Sequence, residues 1–371
     1  MFLQRVHAFF QPLEDSFSVG VPQTNQRVTL SGTAREIWEH LEYPIDMDEL
    51  CKTLALEFNT QVEIIEHDVS ELIKELLSLG LVITWKEEPS LEEKNRCRYL
   101  RTLKCSLVNY FYLEHELRIA HLIKHNNELP PKKELRYLRD IQTHQSENFN
   151  TLCDSKKDGS PPPRELGFIF PHTMIGLQRL ENLEHCAKSI FTNNIPGDFL
   201  EAGVAMGGSS IFLRALQVSY FQEHRRTWVA DSFEGFPTPT SEADQKHEKS
   251  FPQGDNPFLA YDVDTVKELF QRYDLLDDQV CFVPGWFSES LPNLPVQELA
   301  LLRIDADMYQ STMDVLTALY SKVVPGGYVV IDDYGSFSTS RKAVDDFRSM
   351  FEITAPLQSI DWEGVYWQVT A

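Results

Sequence analysis

Four carboxylates stand just past the ends of two apolar runs. Asp305 and Asp307 follow Leu301-Leu302-Arg303-Ile304, and Asp332 and Asp333 follow Val329-Val330-Ile331. If these runs are neighbouring parallel strands, all four acids emerge at one edge of a sheet. Carboxylates so converged repel one another unless they take up protons or share a cation. An all-oxygen ligand set favours a hard ion such as Mg²⁺, Ca²⁺ or Mn²⁺. The plainer use of such residues is to cap the helices that follow, and Asp307 is the best placed for that.

Three further turns suit a nucleoside. The first is Glu201-Ala202-Gly203-Val204-Ala205-Met206-Gly207-Gly208-Ser209-Ser210, where glycines between a strand and a helix let backbone approach a ligand. Its spacing is not that of a dinucleotide-binding turn, and an acid before the first glycine suits the cationic end of a nucleoside ligand better than a pyrophosphate. The second ends at Asp231-Ser232, and a carboxylate at the tip of the adjacent strand can accept both hydroxyl protons of a ribose. The third, Pro284-Gly285-Trp286-Phe287, puts aromatics where an adenine could stack. A tight turn, a helix cap and core packing are the respective alternatives.

The elements that carry these turns alternate. Strands are predicted over 199–204, 227–230, 280–283, 299–304 and 328–331, with 365–369 as a last, edge strand. Helices are predicted between them over 211–218, 263–273 and 312–322. That alternation marks a doubly wound, mostly parallel α/β sheet. The N-terminal stretch has a different rhythm. A strand near 26–30 precedes a helix capped by Ser31, with Ile37 and Trp38 on its inner face. A second helix after Asp46 would bury Leu50, Leu54 and Phe58; a third, with Ile65, Val69, Leu72, Ile73, Leu76 and Leu77, ends at Gly80. Residues 81–85 close the unit as a strand. This is a winged-helix-like α+β module. The pattern divides the chain into 1–90, a helical connector over 91–163 ending in the loop 154–163, and an α/β domain over 164–371.

Composition narrows the partners. The 371 residues include 34 Lys+Arg against 56 Asp+Glu, a net charge of −22, and 42% are apolar. The chain is therefore not disordered, and its acidity argues against nucleic acid or an anionic membrane as partner. The acid is concentrated in residues 1–90 and 161–371; the segment between them is slightly basic. No apolar run is long enough to span a membrane, the N-terminus meets acid too early for a secretory signal, and the six cysteines form no metal-binding pair. The expectation is a cytoplasmic protein with reduced thiols. His121 and His125, at helical spacing, and the basic group Lys132, Lys133, Arg136 and Arg139 read as ordinary helix surface.

Taken together, IPGDFLEAGVAMGGSS from Ile195, ADSFEGFP, LLDDQVCFVPGWFSESLP, RIDADMYQSTMDVL, GGYVVIDDYG and IDWEGVYWQV resemble the macrocin/mycinamicin sugar O-methyltransferase family over roughly 96–371. The resemblance implies a class I methyltransferase fold, S-adenosylmethionine (SAM) as methyl donor, Mg²⁺ and a homodimer. Matched by position, Glu201, Gly203, Gly207, Gly208 and Ser209 look like the SAM loop, and Asp231 with Ser232 the ribose end. Gly285 and Trp286 fall at the adenine, and Thr173-Met174 looks like a second SAM contact. Asp305, Asp332 and Asp333 look like the metal ligands, with Asp305 also the base, and the loop 237–262 like a lid over the acceptor. Ala205-Met206 departs from the bulkier pair usual there. The first 90 residues are foreign to that family. LSGTAREIW, DMDELCKTLALEF and DVSELIKELLSLGLV resemble, over about 15–85, the small peptide-recognition domains of pyrroloquinoline-quinone biosynthesis, which take a precursor's leader as an added strand. The combination predicts a SAM-dependent O-methyltransferase acting on a ribosomally made peptide recruited through its leader. The alternative is a sugar hydroxyl of a natural product, with the N-terminal module used for docking or dimerisation. A DNA-reading role is disfavoured because Glu66, Asp68, Glu71 and Glu75 oppose a single Lys74 on the would-be recognition helix.

Overall fold

The structure is a computed structural model that describes residues 2–5, 9–13, 16–20, 27–42, 44–78, 81–85, 90–113, 115–117, 119, 146–161, 171–247 and 260–370. His121, His125 and the basic group at 132–139 lie outside those residues. The chain divides into two compact units, Met1–Tyr99 and Leu100–Ala371.

In the first unit β1 (Phe2–Arg5) pairs antiparallel with both β5 (Ile45–Asp46) and β6 (Val82–Trp85), and β2 (Phe9–Leu13), β3 (Ser16–Gly20) and β4 (Arg27–Ser31) form a second antiparallel sheet. Helices α1 (Thr33–His40), α2 (Met47–Glu57) and α3 (Val62–Ser78) enclose a core of Leu3, Leu30, Trp38, Leu54, Val69 and Leu76. Three expectations need correction. Ser31 ends β4, where it pairs with Ser16, so its backbone is committed to the ladder; Gly32, at φ 52°, makes the turn and stands at the N-cap of α1. Phe58 is 43% exposed, because α2 stops at Glu57 and the chain turns outward. Gly80 lies outside the described residues. The second helix does follow Asp46, which caps α2 by accepting from the Asp48 amide at 3.0 Å.

The second unit takes in the end of α4 (Leu91–Leu107), then α5 (Ser146–Asp158) and α6 (Leu177–Thr192), before a seven-stranded sheet. Its parallel part runs β11 (Val323–Ile331), β10 (Leu299–Ile304), β7 (Asp198–Ala202), β8 (Thr227–Asp231), β9 (Val280–Pro284). Beyond β11 come antiparallel β13 (Val365–Gln368) and β12 (Gln358–Ser359), so the edge strand is β12 and not 365–369. One face is covered by α6, α7 (Gly208–Ser219) and α9 (Val263–Arg272), and the other by α11 (Tyr309–Leu319) and α12 (Ser338–Met350). Phe199 packs into the first layer and its neighbour Leu200 into the second. Strands buried on both faces read as continuous apolar runs, which is why they were visible in the sequence. The predicted loop 154–163 is corrected too: Asp154 to Asp158 end α5, whose Leu152 packs on Leu113 and Leu117 while Lys156 pairs with Glu116 at 3.0 Å. Two short helices, α8 (Glu242–Gln245) and α10 (Phe287–Ser290), lie on the loops after β8 and β9. Among the described residues, no helix is long and apolar enough to cross a membrane.

Candidate active site

Every turn singled out in the sequence lies at the carboxyl ends of the parallel strands. Gly203 follows β7 at φ 86°, and a Cβ on it would stand 1.7 Å from the Asp305 carbonyl oxygen, so only glycine lets the ends of β7 and β10 meet. A Cβ on Gly208 would stand 2.2 Å from the His172 carbonyl oxygen; the segment His172–Thr173 therefore rests on the start of α7. Asp231 braces this loop. Its Oδ2 accepts from the Val204 amide at 2.8 Å and its Oδ1 from the Phe233 amide at 2.8 Å. Burial pushes its carboxyl upward, against the pull of those amides. Gly285 donates its amide to the Asp231 carbonyl at 2.9 Å and so ties the ends of β8 and β9 together.

Met174, Gly203, Asp231, Ser232, Trp286 and Asp305 all line one cavity of about 390 Å³. Thr173, Glu201, Gly207, Gly208, Ser209 and Gly285 are not among its lining residues. Glu201 is fully buried and accepts from Ser209 Oγ at 2.5 Å, from Ser210 Oγ and from Arg303 Nη1. It fastens α7 to β10 and does not reach the cavity.

The carboxylates converge as the spacing required. The ladder continues one step past the strands: Asp305 donates its amide to Ala202 O at 2.8 Å, and Asp332 to Ile304 O at 2.9 Å. One oxygen each of Asp305, Asp332 and Asp333 lies within 4.8 Å of the other two. Asp307, expected to cap α11, does not; it lines the cavity, and its amide donates to Asp333 Oδ2 at 3.0 Å. The N-cap of α11 is Met308, and the amides of its first turn go to Asp244, 2.7 Å from Tyr309 and 3.0 Å from Gln310. Asp244 lies on α8, in the loop expected to be a lid. Pro237, Thr238 and Thr240 of that loop line the cavity, as does Phe236 just before it.

The comparisons agree with this architecture. Residues 96–369 match the Macrocin-O-methyltransferase family. The chain belongs to that family. Residues 21–82 match Coenzyme PQQ synthesis protein D. A relative from Streptomyces olivaceus, 8-demethyl-8-(2,3-dimethoxy-alpha-L-rhamnosyl)-tetracenomycin-C 4'-O-methyltransferase, is 44% identical over 219 residues, 58% of this chain and 84% of its own. Mycinamicin III 3''-O-methyltransferase of Micromonospora griseorubida is 44% identical over 216 residues, 56% of this chain and 84% of its own. Among solved structures, the O-methyltransferase NovP matches 74% of this chain and all of its own, with a TM-score of 0.59 and 35% identity. The α/β unit is thus a class I methyltransferase fold, and the protein is a SAM-dependent O-methyltransferase with a Coenzyme PQQ synthesis protein D segment at its N-terminal side.

Two residues of this macrocin-type site escaped the sequence reading. Arg303 is buried within β10; its Nη2 donates to Asp305 Oδ2 at 3.1 Å and to Asp332 Oδ1. A lone arginine in the apolar run Leu299–Ile304 was a visible signal, since a buried charge needs partners. Arg179 of α6 is buried as well. It donates from Nη1 to Asp332 Oδ2 at 2.6 Å, from Nε to Asp361 Oδ2 at 2.7 Å and from Nη2 to Glu363. Nothing near it in sequence announces that.

These contacts set the electrostatics. Burial opposes the charge on Asp332, but Arg179 and Arg303 outweigh it and hold the carboxyl below its ordinary range. Asp305 and Asp333 go the other way: burial and their neighbouring carboxylates raise both well above it. Asp307 is pushed up to about 7 by burial and by Asp332. Carboxylates that resist ionisation in a shared site are what a divalent cation relieves. The oxygen-only triad Asp305, Asp332 and Asp333 fits a hard ion, because each oxygen of Asp332 keeps a lone pair beyond its guanidinium contact.

Proposed function

We propose that the enzyme methylates an oxygen of a ribosomally made peptide, recruited through its leader by the first unit and presented to a Mg²⁺-assisted site in the second. The observation that carries this reading is the joining, in one chain, of a Coenzyme PQQ synthesis protein D segment to a methyltransferase. In this reading residues 1–90 recognise the peptide, 91–163 connect, 164–371 catalyse, and the chain works as a homodimer. β4 lies at an edge of its three-stranded sheet, so its backbone can accept an added strand, with α3 as the helix expected to flank the leader. Tethering the leader there raises the effective concentration of the remaining peptide at the cavity.

The chemistry is an in-line displacement: the new bond forms between acceptor oxygen and methyl carbon as the carbon–sulfur bond of the sulfonium breaks, leaving S-adenosylhomocysteine. Asp231 and Ser232 bind the ribose end, Gly203 brings the loop backbone to the donor, and Met174 and Trp286 close on it, with Thr173, Glu201, Gly207, Gly208, Ser209 and Gly285 shaping the loop. Asp305, Asp332 and Asp333 would hold the Mg²⁺, which when bound polarises the acceptor oxygen. A hydroxyl acceptor must lose a proton, and Asp305 takes it. Asp307 is a second candidate for that proton, because it lines the same cavity and its carboxyl sits near 7. A carboxylate acceptor would need neither.

The test is incubation with SAM and a candidate precursor, with and without chelator, followed by tandem mass spectrometry to place the methyl group. Methylation that persists at full rate on the peptide without its leader contradicts recruitment; full rate after chelation contradicts the metal. A second reading rests on the relatives, both named here as methyltransferases of sugar-bearing natural products. It makes the acceptor a sugar hydroxyl and the first unit a docking or dimerisation module. Tight binding of a leader peptide to the full chain separates the two.

A further inference from the structure

We propose that Asp244 is a positioning residue: it brings the N-terminal cap of α11 from the loop after β8 and thereby fixes the Asp305–Asp307 turn. The proposal rests on the reading of Asp305 as a cation ligand.

Helix α11 starts two residues after Asp307, and its own N-cap, Met308, has no side-chain acceptor. First-turn amides left without acceptors in a buried place are costly. Both oxygens of Asp244 meet that need, at 2.7 Å from the Tyr309 amide and 3.0 Å from that of Gln310, and Asp244 is 0% exposed. A carboxylate there also faces the positive end of the helix dipole. Asp244 is itself held: its amide donates to Ser241 Oγ at 3.0 Å, and that hydroxyl donates back to its Oδ2 at 2.7 Å. The reciprocal pair fixes α8 as a short clip.

The turn that α11 anchors needs holding. Asp307 has φ 54°, a conformation that non-glycine residues adopt only when their surroundings impose it. One flank is secured from β11 and α12, by the Asp307 amide on Asp333 Oδ2 at 3.0 Å and by Thr339 Oγ1 donating to the Asp307 carbonyl at 2.7 Å. The other flank is secured by Asp244, from the loop whose Phe236, Pro237, Thr238 and Thr240 wall the cavity. The acceptor-side wall and the catalytic turn are therefore assembled by the same carboxylate.

The test compares the full-length wild type with Asp244→Ala, Asp244→Asn and Asp305→Asn, with Asp46→Ala as a remote cap control. Three quantities are measured: the rate of trypsin cleavage after the exposed Lys246, Mn²⁺ affinity by electron paramagnetic resonance with S-adenosylhomocysteine present, and S-adenosylhomocysteine affinity by calorimetry. Loss of a cap of this kind is expected to speed cleavage about tenfold and to weaken Mn²⁺ about tenfold in Asp244→Ala. Asp244→Asn falls between, because its amide keeps one acceptor oxygen for two donors. S-adenosylhomocysteine affinity stays within about twofold, since Asp231 is braced by Val204, Phe233 and Gly285 and not by α11, and Asp46→Ala matches the wild type in all three. Cleavage or Mn²⁺ affinity unchanged in Asp244→Ala overturns the proposal, as does an equal loss of S-adenosylhomocysteine affinity, which would mark a general collapse. If Asp305→Asn binds Mn²⁺ as the wild type does, it is the cation reading that fails; if it loses Mn²⁺ while Asp244→Ala keeps it, only the positioning role fails.

Discussion

Each end of the methyltransferase sheet has its buried arginines. At the end where β7 and β8 begin, Arg214 gives Nε and Nη2 to Asp277 at 3.0 and 2.6 Å, and its Nη1 to Gln217 and to the Arg225 carbonyl. Arg225 in turn serves the carbonyls of Gly197 and Ile195, at 2.6 and 2.7 Å. Donors there are matched mostly by neutral acceptors and one carboxylate. At the opposite end, Arg303 and Arg179 face Glu201, Asp305, Asp332, Asp361 and Glu363, with Asp307 and Asp333 beside them and no further cation among the contacts described. The first network is saturated and holds strands together. The second carries surplus negative charge that the fold does not neutralise, and surplus of that kind is where a site stores its affinity for a cation.

The sharpest way to break this contrast is to remove a charge from each end. Asp305→Asn is expected to lower methyl transfer about a thousandfold or more, as loss of a catalytic ligand and base does. Its melting temperature should hold or rise, because the amide oxygen still accepts from Arg303 while one repulsion disappears. A parallel fall in melting temperature, measured by calorimetry, would show that the charge was structural after all. Asp307→Asn belongs beside it: if Asp307 rather than Asp305 takes the proton, its loss costs about a hundredfold or more in turnover with Mn²⁺ affinity retained. Arg214→Met should do the reverse of both. Asp277 is 42% exposed and can be solvated on its own, so the cost comes from the buried acceptors left behind, Gln217 Oε1 and the Arg225 carbonyl; at about 2 kcal/mol it should shift chemical denaturation by that order while turnover per folded molecule stays unchanged.

The same contrast explains what could be read from the sequence. β7, β8, β10 and the inner part of β11 were legible because both of their faces are buried, so apolar runs end abruptly in a turn glycine, Gly203, or in the carboxylates Asp231, Asp305 and Asp332. What escaped was every partner supplied from afar. Asp332 is balanced by Arg179, and α11 is capped by Asp244, contacts that exist only after the sheet is wound. Asp307 looked like a local cap because an acid just before a helix usually is one; the cap was already provided, which left Asp307 to face the cavity. Glu201 erred in the other direction. Its place before the glycines suggested a ligand contact, whereas Arg303, Ser209 and Ser210 occupy its carboxylate.

An effect of the same order, about 2 kcal/mol, sharpens the contrast through pH. His185 on α6 lies edge-on to Tyr366, and burial, helped by Lys188, depresses its pKa to about 4. The folded state thus prefers neutral imidazole, while the unfolded chain takes up a proton below about 6.5. Stability is complete above pH 6.5 and falls as the pH drops toward 4, by about 2 kcal/mol at pH 5. Glu184, held near 2 against burial by Lys104 and Lys188, extends the loss below 4.5. The catalytic edge works in the opposite sense: Asp307, raised to about 7, is strained when ionised and relaxes on protonation, so in chelator it offsets a fall of that size between pH 7 and 5. From pH 7 to pH 5 the stability of the metal-free enzyme should therefore rise in His185→Phe and fall in Asp307→Asn, with the wild type between them. An Asp307→Asn slope equal to that of the wild type would mean that the carboxylate surplus does not bear on folding, and that the two ends of the sheet differ in function alone.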